Sequence, residues 1–221
     1  MEEPREKRAI AFFDGQNLFR HAKEAFGYHH PNYDPAKLHA AICKHFGFRD
    51  CGVRFYTGTP NIEKSELWHG YWTNRLLAMT RSGILVTKRP IRYRTERVVL
   101  SDGTEHTIDT AQEKGIDIRI ALDIVRMTLR NQLDVVVLFS QDQDLSEVCS
   151  EVREIARTSS RWIKIISAFP VSDTASVKRG VNNSDWFEMD KAFYDSCLDP
   201  HDYRAPKFRT QPLPPMFGVK A

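Results

Sequence analysis

The sequence predicts an α/β fold: a three-layer sandwich around a mainly parallel, five-stranded sheet. Two observations carry this. Five short apolar runs stand out: Ala9–Phe13, Val53–Tyr56, Ile84–Thr87, Val135–Phe139 and Ile163–Ile166. They are rich in β-branched or aromatic residues, and several are apolar almost without alternation, as suits strands covered on both faces. Segments of helical periodicity lie between them, and β-α-β repetition implies right-handed crossovers.

The elements follow in order. The first run leads directly into Asp14-Gly15-Gln16-Asn17. The segment Asp34–Phe46 opens with Asp-Pro, a cap followed by a first-turn proline, and is followed by Gly47. Glu63–Arg81 carries Trp68, Trp72, Leu76 and Met79 on one helical face. That stripe reads as core rather than as a base-stacking platform. Residues 91–110 contain Asp102-Gly103 between strand-like runs and read as an inserted β-hairpin. Ile116–Leu129 and Leu145–Ala156 are the remaining helical segments. From Arg204 onward there are four prolines, four bases and no acid. This reads as a tail, disordered or ordered on contact. The expected domain is residues 8–198, with the tail at 199–221.

Several classes drop out. A chain of 221 residues can bury a sizeable core without disulfide or metal staples. No apolar run approaches the roughly 18 residues of a membrane span, and the charged MEEPREKR start has no signal-peptide character. Cys43, Cys51, Cys149 and Cys197 show no CxxC spacing. They read as reduced thiols of a cytoplasmic protein, not as a zinc knuckle or disulfide framework. There is no G-x-S-x-G elbow, Walker A or G-x-G-x-x-G motif. A haloacid-dehalogenase-type phosphatase would show Asp-x-Asp after the first strand, where this chain has Asp14-Gly15-Gln16-Asn17.

The informative acids fall at strand ends. The fourth run leads into Ser140-Gln141-Asp142-Gln143-Asp144, and Lys114-Gly115-Ile116-Asp117 opens the helix feeding that run. In an open doubly wound sheet, ligands bind beyond the carboxyl ends of the strands where the winding reverses. If the first and fourth strands are neighbours there, Asp14, Asp142 and Asp144 face one crevice, with Asp117 nearby. Asp123 lies six residues on, about 120° around the helix, and shares the site only if the helix starts after Asp117. Carboxylates gathered without enough cations repel one another unless a metal is present. Oxygen ligands alone select Mg²⁺ or Mn²⁺, which a phosphodiester can help to complete. Each acid also has a structural reading. Asp14 with Asn17 can cap a helix, Asp144 with Glu147 resembles a capping box, Asp117 suits a helix N-terminus, and Asp142 suits a solvated loop.

The ordered set Phe12-Phe13-Asp14-Gly15-Gln16-Asn17-Leu18, Lys114-Gly115-Ile116-Asp117 with Ala121-Leu122-Asp123, and Leu138-Phe139-Ser140-Gln141-Asp142-Gln143-Asp144-Leu145 resembles the NYN domain family. This is the PIN-like nuclease group that includes LabA-type proteins. The likeness covers roughly residues 8–195. It implies a PIN-like sheet of strand order 3-2-1-4-5 and a Mg²⁺- or Mn²⁺-dependent ribonuclease. By position, Asp14, Asp117, Asp142 and Asp144 correspond to its acidic catalytic and metal-binding residues. Asn17 and Ser140 match its supporting polar positions, placed to orient water or a carboxylate. Gln141 stands where the family usually has Gly, and Gln143 where small residues are common. These departures keep open an alternative, a PIN-like module that binds RNA or a regulatory partner without cutting.

The partner this implies is RNA, single-stranded or structured, and Lys114 is placed to neutralise its phosphate. The net charge of +3 is unevenly spread. Residues 75–97 carry seven bases and one acid, and the tail carries four bases, leaving the remainder at −7. Arg92 and Arg94 share one face of the hairpin by strand alternation, a candidate grip on the phosphate backbone. The same charges also suit a solvated edge that blocks aggregation. A homo-oligomer would use that hairpin edge.

Overall fold

The computed structural model describes residues 2–99, 105–210 and 214. Their strands are β1 (Arg8–Asp14), β2 (Arg49–Thr59), β3 (Leu85–Pro90), β4 (Arg92–Val99), β5 (Glu105–Gln112), β6 (Val135–Phe139), β7 (Lys164–Pro170) and β8 (Asp185–Met189). The α-helices are α1 (Gly15–Phe26), α2 (Pro35–Phe46), α3 (Glu66–Arg81), α4 (Ile116–Leu129), α5 (Ser146–Thr158) and the short α6 (Lys191–Asp195).

Six strands form one parallel sheet in the order β3-β2-β1-β6-β7-β8. The expectation of five strands in the order 3-2-1-4-5 is therefore corrected. Asp185–Met189 adds a sixth strand beyond β7 and extends the order. Its sequence, DWFEM, has no continuous apolar run, because at the sheet edge only Met189 is fully covered. The central strands differ for the reason the pattern suggested: every residue of β6 is buried. In β1 every residue after Arg8 is buried. Across that pair Phe13 faces Phe139, with ring centroids 3.8 Å apart and planes 9° from parallel.

The sheet separates two apolar clusters. On one face Ala11, Phe13, Phe55 and Val137 pack with Leu18 of α1, Ile42 of α2 and Trp72 of α3. On the other, Ile10, Phe12 and Val136 pack with Ile120 and Ile124 of α4 and Val152 of α5. Trp68, Trp72, Leu76 and Met79 are all in the first cluster, so the stripe on α3 is core. Local chemistry punctuates the helices. Asp34 accepts from the Ala36 and Lys37 amides at the start of α2, Pro35 is its first residue, and Gly47 ends it.

Two features of the basic stretch change on folding. Arg75 is fully buried rather than part of a cationic surface. Its Nη2 donates to the Tyr33 carbonyl at 2.6 Å, and the guanidinium lies 5.0 Å from the Tyr33 ring centroid. The hairpin is β4–β5, paired from Arg92↔Gln112 to Val99↔Glu105. Its Asp102-Gly103 turn lies outside the described residues. The start of the tail is ordered by contact with α3. Asn74 Nδ2 donates to the Tyr203 carbonyl at 3.0 Å, and Tyr71 meets Tyr203 edge to face. Apart from Pro214, the tail after Thr210 lies outside the described residues. No helix among the described residues is long and apolar enough to cross a membrane.

Candidate active site

The winding of the sheet reverses between β1 and β6, and the pairing Phe13↔Phe139 sets Asp14 beside Ser140. Asp14 ends β1 and caps α1: its Oδ1 accepts the Asn17 amide at 3.1 Å. The cap uses one oxygen only, and Oδ2 faces the β6 loop. Ser140 Oγ donates to Asp14 Oδ2 at 3.4 Å and accepts the Asp142 amide at 3.1 Å. Asn17 Oδ1 accepts the Gln141 amide at 2.9 Å. Asn17 and Ser140 thus cross-link the two acid-bearing loops.

Asp142, not Asp144, is the cap of the turn that follows β6. Its Oδ1 accepts the Asp144 amide at 3.0 Å at the head of a short 3₁₀ turn, Gln143–Leu145. The capping box expected at Asp144 is displaced because this 3₁₀ turn precedes α5. Asp144 is exposed, on the rim of the crevice.

Asp117 sits in the first turn of α4. Because that helix starts at Ile116, Asp123 points elsewhere. It is buried, accepts from Tyr56 Oη at 2.9 Å and from Arg126 Nη2 at 2.6 Å, and pairs with Arg119. Asp123 is a structural anchor outside the crevice. Gly115 enters α4 with φ +76°, and an added Cβ would come within 2.8 Å of Arg89 Nη1. The left-handed backbone there favours glycine, whereas the arginine tip could move aside. The close approach sets the Arg89 guanidinium, at the end of β3, against the Lys114–Asp117 turn. Lys114 itself is exposed.

The acids act on one another. Burial pushes the Asp14 carboxyl up to about 7; the Asn17 amide opposes this, and the charges of Asp117 and Asp142 add to it. Asp117 is also raised, by burial and then by Asp142 and Asp144. Sequence reasoning missed a further acid. Glu113, half-buried beside Gly58, is pushed up to about 8 by burial and by Asp14; the Gly58 amide opposes this, and Asp117 adds less. A Cβ on Gly58 would lie 2.9 Å from Glu113 Oε1, so that backbone approach needs glycine. The available signal was adjacency to Lys114. A charged residue at a strand–helix junction reads as solvated until its burial is known. His21 is a second omission. It lies within electrostatic reach of Asp142, but burial and Arg20 lower its imidazole to about 4, leaving it neutral near pH 7.

The donor set is therefore oxygen-only and under-compensated, which fits a hard divalent cation. Among the described residues no three acidic, His or Cys side chains form a ready-made cage.

The hairpin leaves the sheet at the same end. Ile91 continues the β3 ladder by donating to the Thr59 carbonyl at 2.9 Å, and β4 follows at once. Arg92 and Arg94 are exposed on β4, whereas Tyr93 is half-buried with Lys64 Nζ 5.7 Å from its ring centroid.

A parallel α/β sheet with carboxylates gathered over its winding reversal is the arrangement expected of a PIN-like, nuclease-type domain, and the family match supplies that class. The chain belongs to the NYN domain family, whose profile matches residues 8–176. No curated protein matches it. Among solved structures it is similar to a protein of unknown function from Vibrio parahaemolyticus. The identity is 18%, over 90% of this chain and 99% of that one, with a TM-score of 0.49. A fainter likeness, to MurG of Acinetobacter baumannii, has 12% identity over 82% of this chain and 45% of that one, with a TM-score of 0.32. Neither carries the functional argument.

Proposed function

We propose that this chain is a Mg²⁺- or Mn²⁺-dependent ribonuclease that hydrolyses RNA phosphodiester bonds, leaving 5′-phosphate and 3′-hydroxyl ends. One observation carries the reading. The charges of Asp117 and Asp142 both act on Asp14, and those of Asp142 and Asp144 act on Asp117, with no cation among the groups acting most strongly on either. Asp14 and Asp142 would hold the ion directly or through water, with Asp117 and Asp144 completing the site. When bound, it would supply a water that ionises near neutral pH and positive charge for the phosphate.

The chain's own residues do the rest. The Ser140 hydroxyl, bonded to both Asp14 and the Asp142 amide, keeps the two carboxylates in register. The exposed Lys114 would meet the phosphate or the leaving oxygen, and Arg92 and Arg94 would hold neighbouring phosphates.

The test is cleavage of labelled single-stranded RNA by purified protein with Mn²⁺. Asp142→Asn should lower the rate by at least about 100-fold, since even outer-shell partners of a metal are worth 10–100-fold. Undiminished cleavage by the variant would overturn the assignment. RNA retention by the unmodified protein with no metal-dependent product would favour the non-catalytic RNA-binding module.

A further inference from the structure

Gln141 and Gln143 occupy positions where small residues are usual, yet neither side chain fills the crevice. Both turn away from the acids and grip the segment joining β7 to β8. Gln141, 5% exposed, donates through Nε2 to the Arg179 carbonyl at 2.9 Å and to the Val177 carbonyl at 3.3 Å. Gln143 Nε2 donates to the Gly180 carbonyl at 3.0 Å, and its Oε1 accepts the Asn182 amide at 3.2 Å. A second tie comes from α1, where Glu24 Oε1 accepts the Ser176 amide at 2.6 Å. The clamped stretch presents two exposed cations, Lys178 and Arg179.

The topology gives this arrangement a direction. The hairpin follows the carboxyl end of β3, and the clamped segment follows the carboxyl end of β7. The acids at β1 and β6 lie between them. Four strand spacings separate β3 from β7, about 19 Å at about 4.8 Å each. A single strand crossing the acidic crevice would therefore meet cations on both sides.

We propose that Gln141 and Gln143 are positioning residues for substrate: they hold the 177–182 segment against the acid loop so that Lys178 and Arg179 form a second phosphate-contacting wall, across the crevice from the hairpin. This rests on the reading of the crevice as an RNA-processing site. A side chain with an amide head is required because the grip consists of two donors and an acceptor aimed at backbone groups. Glycine at these positions removes the four bonds of the grip and leaves the segment to ties such as Ser167, whose Oγ accepts the Val181 amide at 3.0 Å, Trp186, whose Nε1 donates to the Val181 carbonyl at 3.0 Å, and Glu24.

The experiment is binding of fluorescein-labelled single-stranded RNA, followed by anisotropy in EDTA between 50 and 200 mM salt. Each phosphate contact contributes about 0.7 to the slope of log affinity against log salt. Lys178→Ala with Arg179→Ala should therefore flatten the slope by about 1.4. Gln141→Met with Gln143→Met keeps side-chain length, removes the grip, and should flatten it similarly. Combining all four changes should add little, because both pairs remove the same wall. Lys178 and Arg179 are exposed, so their variant tests the wall without endangering the fold. An unchanged slope in that variant overturns the proposal, and so does full additivity of the two pairs. Cleavage with Mn²⁺ is scored separately. Protein that shows these slopes but never cuts removes the ribonuclease reading and leaves the wall. Protein that cuts while the wall variant binds normally removes the wall alone, and protein that binds no RNA removes both.

Discussion

Replacing Asp14 with Asn should make the metal-free protein more stable at alkaline pH while removing the response to metal. Asp14 is 3% exposed, and burial is the largest influence on its carboxyl, which is pushed up to about 7. The folded chain therefore retains a proton that the unfolded chain releases near 3.8. Below that pH both forms are protonated and the group is neutral toward stability. As the pH rises from about 4 to about 7, wild-type stability falls, and the loss then levels off. The full difference amounts to about 4 kcal/mol. Asn keeps an oxygen for the Asn17 amide, so the α1 cap survives. Urea unfolding in EDTA at pH 8 should show the Asp14→Asn midpoint higher by about 1 M, given a slope near 3 kcal/mol/M. At pH 4 the two midpoints should coincide. Mn²⁺ at about 100 times its dissociation constant should then raise the wild-type stability by about 2.7 kcal/mol and leave the variant unmoved. A variant no more stable than wild type at pH 8, or equally shifted at both pH values, would refute the electrostatic account of the crevice.

Two other perturbations separate scaffold from site. Asp123→Ala strips the partners from Tyr56, Arg119 and Arg126. Because both arginines are more than a third exposed, the loss should be modest, about 2 kcal/mol by urea unfolding, with Mn²⁺ stabilisation retained. Loss of the metal response would instead return Asp123 to the site. Arg92→Ala with Arg94→Ala should weaken RNA binding and flatten its salt slope by about 1.4. An unchanged affinity and slope would leave the hairpin as a solvated edge.

The folded arrangement also explains why an overall charge near neutrality is a poor guide here. Of the bases in residues 75–97, Arg75 is buried under Tyr33 and Trp72, whereas Arg81, Lys88, Arg89, Arg92 and Arg94 are exposed. Lys114, Lys178 and Arg179 are exposed as well, while Asp14 is buried, so the sum conceals where each sign sits.

The sequence by itself determined what depends on near neighbours along the chain. Unbroken apolar runs at Ala9–Phe13 and Val135–Phe139 specify strands covered on both faces. Asp-Pro at Asp34-Pro35 starts a helix and Gly47 stops it. Acids placed immediately after two strands mark the end of the sheet where a ligand would bind. Only the tertiary structure decided what depends on burial and on which surfaces meet. It added DWFEM as a sixth strand, which packing partners rather than pattern secured. It drew Glu113 into the acid cluster and sent Asp123 away from it, because α4 already begins at Ile116 and turns Asp123 about 120° from Asp117. It also turned Gln141 and Gln143 outward onto a segment almost forty residues further along the chain. Hydrogen bonds of that kind have no local period, because the groups they join become neighbours only once the sheet has formed.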